Sequence, residues 1–330
     1  MLCGLLRGFA AGGEYAGAVS FVIGYGPSKK RAFYGSFVAV SIFSGLLGGS
    51  GFVAILSATV SEQTRNSWVW RVPFLTALSI GAIGLYMRLK LEETLEFKMV
   101  LDAGEIEPVP LRTAVRSQRR NMAVFFSLAI CHVIASYLFG SYLTTYLVEE
   151  AGHCKSEALF TNLIATAVLC FLLPVGALMT DRYGRKPMLL GAAALVAIIA
   201  VPILMLAGVG GFTTALIAQL MFLMVFFLIT PPVTVSLAEM FPADVRVTAG
   251  AISYNLAFTI FGGTAPFVAT ALISITGNKL APGIYAVVIA VFSFCVIRFA
   301  YRERGAQETE LTAVTNEKPS LPRPSPAVSS

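Results

Sequence analysis

Two ionisable residues interrupt the first apolar run of the chain, Arg7 and Glu14. Seven residues apart, they share one face of a helix and stand about 10.5 Å from each other along its axis. Charges that deep in an apolar helix are expensive and tend to face a cavity, a partner or an ion path. The chemistry they offer is proton exchange or the binding of an ionic substrate; the structural alternative is an ion pair inside a bundle. Gly4, Gly8 and Gly12 recur at every fourth residue, as do Gly13 and Gly17, so another helix can come close.

A second constellation is Asp181-Arg182-Tyr183-Gly184-Arg185-Lys186-Pro187, a polar turn between two apolar runs. Gly184 permits the reversal, the cations hold a membrane surface, and Asp181 can pair across the loop or with a neighbouring helix. Cations alone would serve as anchors; the ordered acid, bases, aromatic and glycine ask for more. Glu239-Met240-Phe241-Pro242 through Arg246 form a further loop, whose acid and base can pair with the first loop and separate as a bundle rocks. A surface ion pair of little worth is the alternative. Beyond it, Ser253-Tyr254-Asn255 to Phe261-Gly262-Gly263-Thr264-Ala265-Pro266 mixes polar and small residues. Tyr254 and Asn255 read either as substrate contacts or as interhelical hydrogen bonds. Tyr137 and Gln219 join them as substrate candidates. With His132, Tyr142 and Asn162 they are single polar residues in apolar runs, a pattern that packing also explains.

The elements that must position these residues are membrane helices. The chain is 56% hydrophobic and 13% charged, with a mean hydropathy of +0.77, whereas a soluble domain carries about a quarter charged residues. Its apolar blocks reach about 20 residues, enough to cross a hydrocarbon core as helix. The alternation of a spanning barrel is missing, so the expected class is an all-α membrane bundle. Spans are expected at 1–23, 35–57, 70–88, 122–147, 158–180, 188–207, 212–235, 248–273 and 281–300. Gly208–Gly211 divide two of them, and Pro231-Pro232 should break the seventh near its end, where neighbours or a cavity satisfy the freed backbone. The expected organisation is a three-helix part at 1–88, a cytoplasmic linker at 89–120, a six-helix bundle at 121–304 and a disordered cytoplasmic tail at 305–330.

The net charge of +6 is distributed like orienting charge at the ends of apolar runs, not like a nucleic-acid surface. Nineteen Lys and Arg residues fall on one side of the expected topology, among them Lys29, Lys30, Arg31, Arg119, Arg182, Arg246 and Arg298. Three fall on the other: Arg65, Lys155 and Lys279. The bias places the C-terminus in the cytoplasm and the N-terminus outside, in an inner or plasma membrane. The five cysteines lie far apart and no Cys or His spacing suggests a metal site, a disulfide or a cofactor. The apolar run begins directly after Met1, without the basic region of a signal peptide, so the start reads as cut from a longer protein.

These stretches together resemble the major facilitator superfamily, in particular its metabolite:proton symporter branch of proline/betaine, α-ketoglutarate, citrate and shikimate transporters. The matching residues are Gly8 to Tyr15, Trp70-Arg71-Val72-Pro73-Phe74, Glu92-Glu93-Thr94 to Phe97, Asp181 to Pro187, and Glu239 to Pro266. The chain departs from that pattern with Gly4 and Arg7 where the family carries Arg and Gln, and with Gly24 where it often carries Glu. The resemblance implies twelve helices in two six-helix halves, of which this chain would hold helices four to twelve. It implies proton-driven symport of a small organic acid or zwitterion by alternating access, with no enzymatic step. Glu14 and Arg7 would then couple protons. Asp181, Arg182, Gly184, Arg185, Lys186, Glu239 and Arg246 would gate the cytoplasmic side, and Tyr254 and Asn255 would line the cavity. An uncoupled facilitator, or a fragment that does not transport alone, are the other readings.

Overall fold

The computed structural model describes residues 2–90, 115–242 and 245–302. The Arg7 side chain, the Glu92–Phe97 match, most of the expected linker and the expected tail lie outside the described residues.

Every regular element described is helical. Helix α1 (Leu2–Tyr25) is followed by α2 (Arg31–Thr59), a short α3 (Glu62–Ser67) and α4 (Val72–Lys90). Helix α5 (Arg119–Ala135) passes through a π-helical stretch, Ser136–Tyr142, into α6 (Leu143–Glu149). Then come α7 (Lys155–Tyr183), α8 (Arg185–Ala207) and α9 (Phe212–Glu239). Helix α10 (Arg246–Ala257) runs through a second π stretch, Phe258–Gly262, before α11 (Ala265–Thr276), and α12 (Ala281–Ala300) ends the bundle. With α5–α6 and α10–α11 each taken as one rod, helices occupy all the span positions read from the sequence. Among the described residues, 7 helices are long and apolar enough to cross a membrane, and α4 adds a shorter apolar stretch, Phe74–Tyr86.

Small residues set the packing, because lipid offers no hydrophobic drive to bring helices together and close van der Waals contact must do so. Helix α8 buries Ala192, Ala193, Ala200 and Ala207 and lies against α9 and α12. At Gly283 of α12 an added Cβ would stand 3.1 Å from the Ala200 carbonyl oxygen. Helix α7 packs on α9 through Gly176, where a Cβ would overlap the carbonyl oxygen of Phe227. That carbonyl is freed because Pro231, four residues on, has no N–H to give it. Contrary to the expected break, α9 continues through Pro231 and Pro232, both buried. The interruptions fall instead at the two π stretches. Helix α1 lies along α9 and α10, and α2 along α7 and α9.

Candidate functional site

A cavity of about 1160 Å³ opens between α1 and α2 on one side and α5, α7, α9 and α10 on the other. Its deep wall is aromatic. Tyr15 of α1 stacks on Tyr254 of α10 with ring centroids 4.7 Å apart and an interplanar angle of 20°. Phe258 lies 4.6 Å from Tyr254, and Phe226 and Phe222 close the side formed by α9. The Tyr15 hydroxyl and Thr234 Oγ1 share a hydrogen bond of 3.0 Å, which ties α1 to α9 just beneath the stack. Among the described lining residues the charged ones are Glu149 and Lys155, both exposed at helix ends far from this wall.

Both π stretches reach the cavity, the first through Ser136, Tyr137, Gly140 and Ser141, the second through Phe258. Such bulges disturb the regular i−4 ladder and recur at functional sites. They interlock here: Tyr137 meets Phe258 edge to face at 5.9 Å, and a Cβ on Gly262 would come within 2.6 Å of Tyr137 Cε2. The Gly140 carbonyl accepts a hydrogen bond from Asn162 Nδ2 at 3.3 Å.

Of the residues singled out from sequence, Tyr254, Asn255, Tyr137, His132 and Asn162 stand in the wall. The Asn255 amide donates to the Ala251 carbonyl one turn back, at 2.8 Å. Gln219 is fully buried behind the wall, its Oε1 accepting from Asn162 Nδ2 at 3.4 Å. Glu14 is exposed and outside the lining; its neighbour Tyr15 lines the cavity. Sequence reasoning did not single out Tyr15, Phe43, Phe226, Phe258 or Thr230. Aromatic and Thr residues inside apolar runs look like ordinary packing, and only the adjacency of Tyr15 to Glu14 pointed towards the site.

The second cluster lies at the opposite end of α7 and α9. Asp181 accepts from the backbone N–H of Ala32 (Oδ1, 3.0 Å) and of Phe33 (Oδ2, 2.9 Å), in the first turn of α2. A carboxylate there satisfies two otherwise orphaned donors and meets the positive end of the helix dipole. Arg185 forks onto Glu239, Nε to Oε2 at 3.0 Å and one terminal nitrogen to Oε1 at 3.1 Å, and stands 3.5 Å from Asp181. Arg31 approaches Glu239 at 3.8 Å. Lys186 donates to the Tyr301 carbonyl at 3.0 Å, and Arg246 Nε to the Phe241 carbonyl at 3.3 Å. Arg182 is exposed, its guanidinium 5.5 Å from the Tyr183 ring centroid. Gly184 turns the chain between α7 and α8 at φ +92°, a left-handed conformation that favours glycine. The expected pairing between the two loops is present as Arg185–Glu239, and of the two partners open to Asp181 it takes the neighbouring helix, which is α2.

Residues 1–263 match the family described as Major Facilitator Superfamily. A Staphylococcus aureus (strain COL) protein, provisionally named a proline/betaine transporter, is 33% identical over 310 residues, which cover 91% of this chain and 65% of that protein. The proline/betaine transporter of Escherichia coli (strain K12) is 31% identical over 301 residues, covering 88% of this chain and 60% of that one. The chain thus spans under two thirds of the length of these relatives. Among solved structures, the proton:xylose symporter XylE aligns with a TM-score of 0.66 at 16% identity, over 85% of this chain and 66% of that one. The Escherichia coli fucose:proton symporter FucP aligns with a TM-score of 0.64 at 18% identity, over 87% and 73%. At such identities the likeness is one of fold.

Proposed function

This chain belongs to the Major Facilitator Superfamily, and we propose that it serves a proton-coupled secondary transporter that carries a small zwitterion by alternating access. It is an integral membrane protein with seven apolar helices of spanning length among its described residues. The observation that carries the proposal is the character of the cavity: among the described residues its deep wall is aromatic and uncharged, and the charged lining residues, Glu149 and Lys155, stand at the rim. An organic di- or tricarboxylate would need cations at depth to replace its hydration. An ammonium group instead gains from the faces of Tyr15, Tyr254 and Phe258, as quaternary ammonium ligands do in aromatic cages. The names of the proline/betaine relatives support the same class.

The gating assignment rests on Asp181, Arg185 and Glu239, which hold α2 against α7 and α9 at one end, while the cavity reaches exposed residues at the other. With the basic side in the cytoplasm, this is an outward-facing state in the plasma membrane. Proton coupling is assigned to Glu14, adjacent to the Tyr15 stack, with Arg7 as its partner on the same helix. The test is uptake by the purified chain in vesicles. Glycine betaine or proline should accumulate when the outside is made acidic, and a protonophore should abolish it. Uptake of carboxylic acids but not zwitterions would overturn the substrate assignment, and uptake indifferent to the pH gradient would make the protein a facilitator.

A second reading, that the chain does not transport alone, has its own observation. From Phe74 to Lys90 every described side chain of α4 is exposed, so the described residues bury little of this span. Zwitterion binding without uptake in any gradient would favour it.

A further inference from the structure

His132 of α5 lines the deep end of the cavity and is 5% exposed. Its Nε2 stands 3.3 Å from Thr230 Oγ1, and its Nδ1 is buried without a hydrogen-bond partner. Three rings lie around it: Phe226 at 5.6 Å, Tyr254 at 6.3 Å and Phe258 at 6.5 Å between centroids. A neutral imidazole carries one hydrogen, and the hydrogen-bond network decides which nitrogen holds it. Among the described residues the Thr230 hydroxyl has one partner, His132. If Thr230 donates to Nε2, both groups are satisfied and a single orphan remains, the Nδ1–H. If Nε2–H donates to Thr230, two orphans remain, the hydroxyl hydrogen and the Nδ1 lone pair. Since each buried unpaired polar group is unfavourable, the first arrangement wins.

We propose that His132 is the carboxylate anchor of the cavity, its Nδ1–H donating to an oxygen of the bound zwitterion whose ammonium end rests on Tyr15 and Tyr254. This rests on the zwitterion reading above. The 6.3 Å between the His132 and Tyr254 rings keeps both ends within reach of one small molecule. Nδ1 itself is buried, so a ligand reaches it only as a neighbouring side chain turns aside on entry. The carboxylate thereby replaces a missing partner, which gives selectivity over an ammonium compound that has none.

Two measurements on the 330-residue chain in nanodiscs test this. The chain has 2 histidines, and His153 donates from Nε2 to the Ala207 carbonyl at 3.3 Å, so ¹⁵N-histidine NMR with a His153→Gln reference assigns each. His132 should carry its hydrogen on Nδ1; glycine betaine should shift that nitrogen, and choline, with the same ammonium and no carboxylate, should not. A hydrogen on Nε2 or an equal response to choline would overturn the assignment. In binding assays His132→Phe should weaken glycine betaine about 10-fold or more and leave choline within about 2-fold, the range of a hydrogen bond to a charged group. His132→Gln, which keeps an N–H, should recover part of the loss. No loss, or equal loss for both ligands, would remove His132 from the site and leave the zwitterion reading standing. Binding of neither ligand by the unaltered chain would overturn both.

Discussion

Replacing Asp181 with alanine removes the acceptor that holds the first turn of α2. Two backbone donors lose their partner, the Ala32 and Phe33 N–H groups at 3.0 and 2.9 Å, together with an Arg185 contact at 3.5 Å. Hydrogen bonds to a charged group contribute about 1.5–3 kcal/mol each. Two at one carboxylate are not additive, and water partly replaces them at a half-buried helix end, so the net loss is about 2–4 kcal/mol. At about 1.4 kcal/mol per decade this raises the open population at that end roughly 30- to 1000-fold. Hydrogen exchange followed by mass spectrometry reads the change directly, because Ala32 and Phe33 exchange only when the contact opens. Peptides covering 28–36 should therefore exchange faster by that factor in Asp181→Ala, while α8 and α12 keep their protection. Arg185→Gln, which leaves both Asp181 acceptors in place, should have a smaller effect on the same peptides. Unchanged exchange at 28–36 would show that Asp181 does not hold the closure, and a uniform rise across the chain would show global loosening instead.

Gly176→Val places a Cβ on the Phe227 carbonyl oxygen, a backbone atom that cannot rotate away, and should cost about 1–3 kcal/mol or more, lowering the thermal midpoint. Gly191→Ala, with nothing within 4 Å of the added carbon, is the matched control and should not. Cys154 is free and exposed, so a membrane-impermeant maleimide should label it on intact cells; labelling only after permeabilisation would reverse the orientation assigned from the cations. Glu14→Gln should abolish accumulation driven by a pH gradient and keep substrate exchange, which needs rocking but no net proton movement; loss of both would make Glu14 a substrate or structural contact.

Span positions were legible because a membrane helix must be about 20 apolar residues long whatever it packs against. The nature of the interruptions was not. Pro231-Pro232 signalled a broken helix, yet the carbonyl that Pro231 frees rests against Gly176, and α9 runs on. The π stretches at Ser136–Tyr142 and Phe258–Gly262 contain no proline, and no local composition marks where the ladder changes. In the charged cluster, the order of residues from Asp181 to Lys186 showed that a specific contact was wanted. The partner, the first turn of α2, lies about 150 residues away in the chain and presents bare N–H groups, which any sequence would offer. At the cavity, His132, Tyr137, Asn162, Tyr254 and Asn255 stood out as polar groups in apolar runs. Tyr15, Phe226 and Phe258 did not, since an aromatic ring lining a cavity and one filling a core have the same sequence signature. Gln219 shows the converse: polarity in a span signalled a cavity contact, but the side chain is buried behind the wall.

The cavity and the charged cluster share their levers. Helix α9 carries Phe226 and Thr230 in the wall, Thr234 bonded to Tyr15, and Glu239 in the cluster. From Phe226 to Glu239 it runs about 20 Å without interruption. Helix α7 likewise joins Asn162 in the wall to Asp181. A displacement of α1 and α2 relative to these two rods must act at both ends, because Tyr15 and the first turn of α2 are held by the same pair of helices. A ligand moves such an equilibrium only by its difference in affinity between the two states. If the Asp181 contact contributes about 2–4 kcal/mol to closure, substrate and proton together must favour the opposite state by a similar amount before that end opens. An aromatic stack joined to α9 by one neutral hydrogen bond is a weak latch by comparison. It can yield when a zwitterion separates Tyr15 from Tyr254, whereas the charged cluster sets the threshold that this binding has to meet.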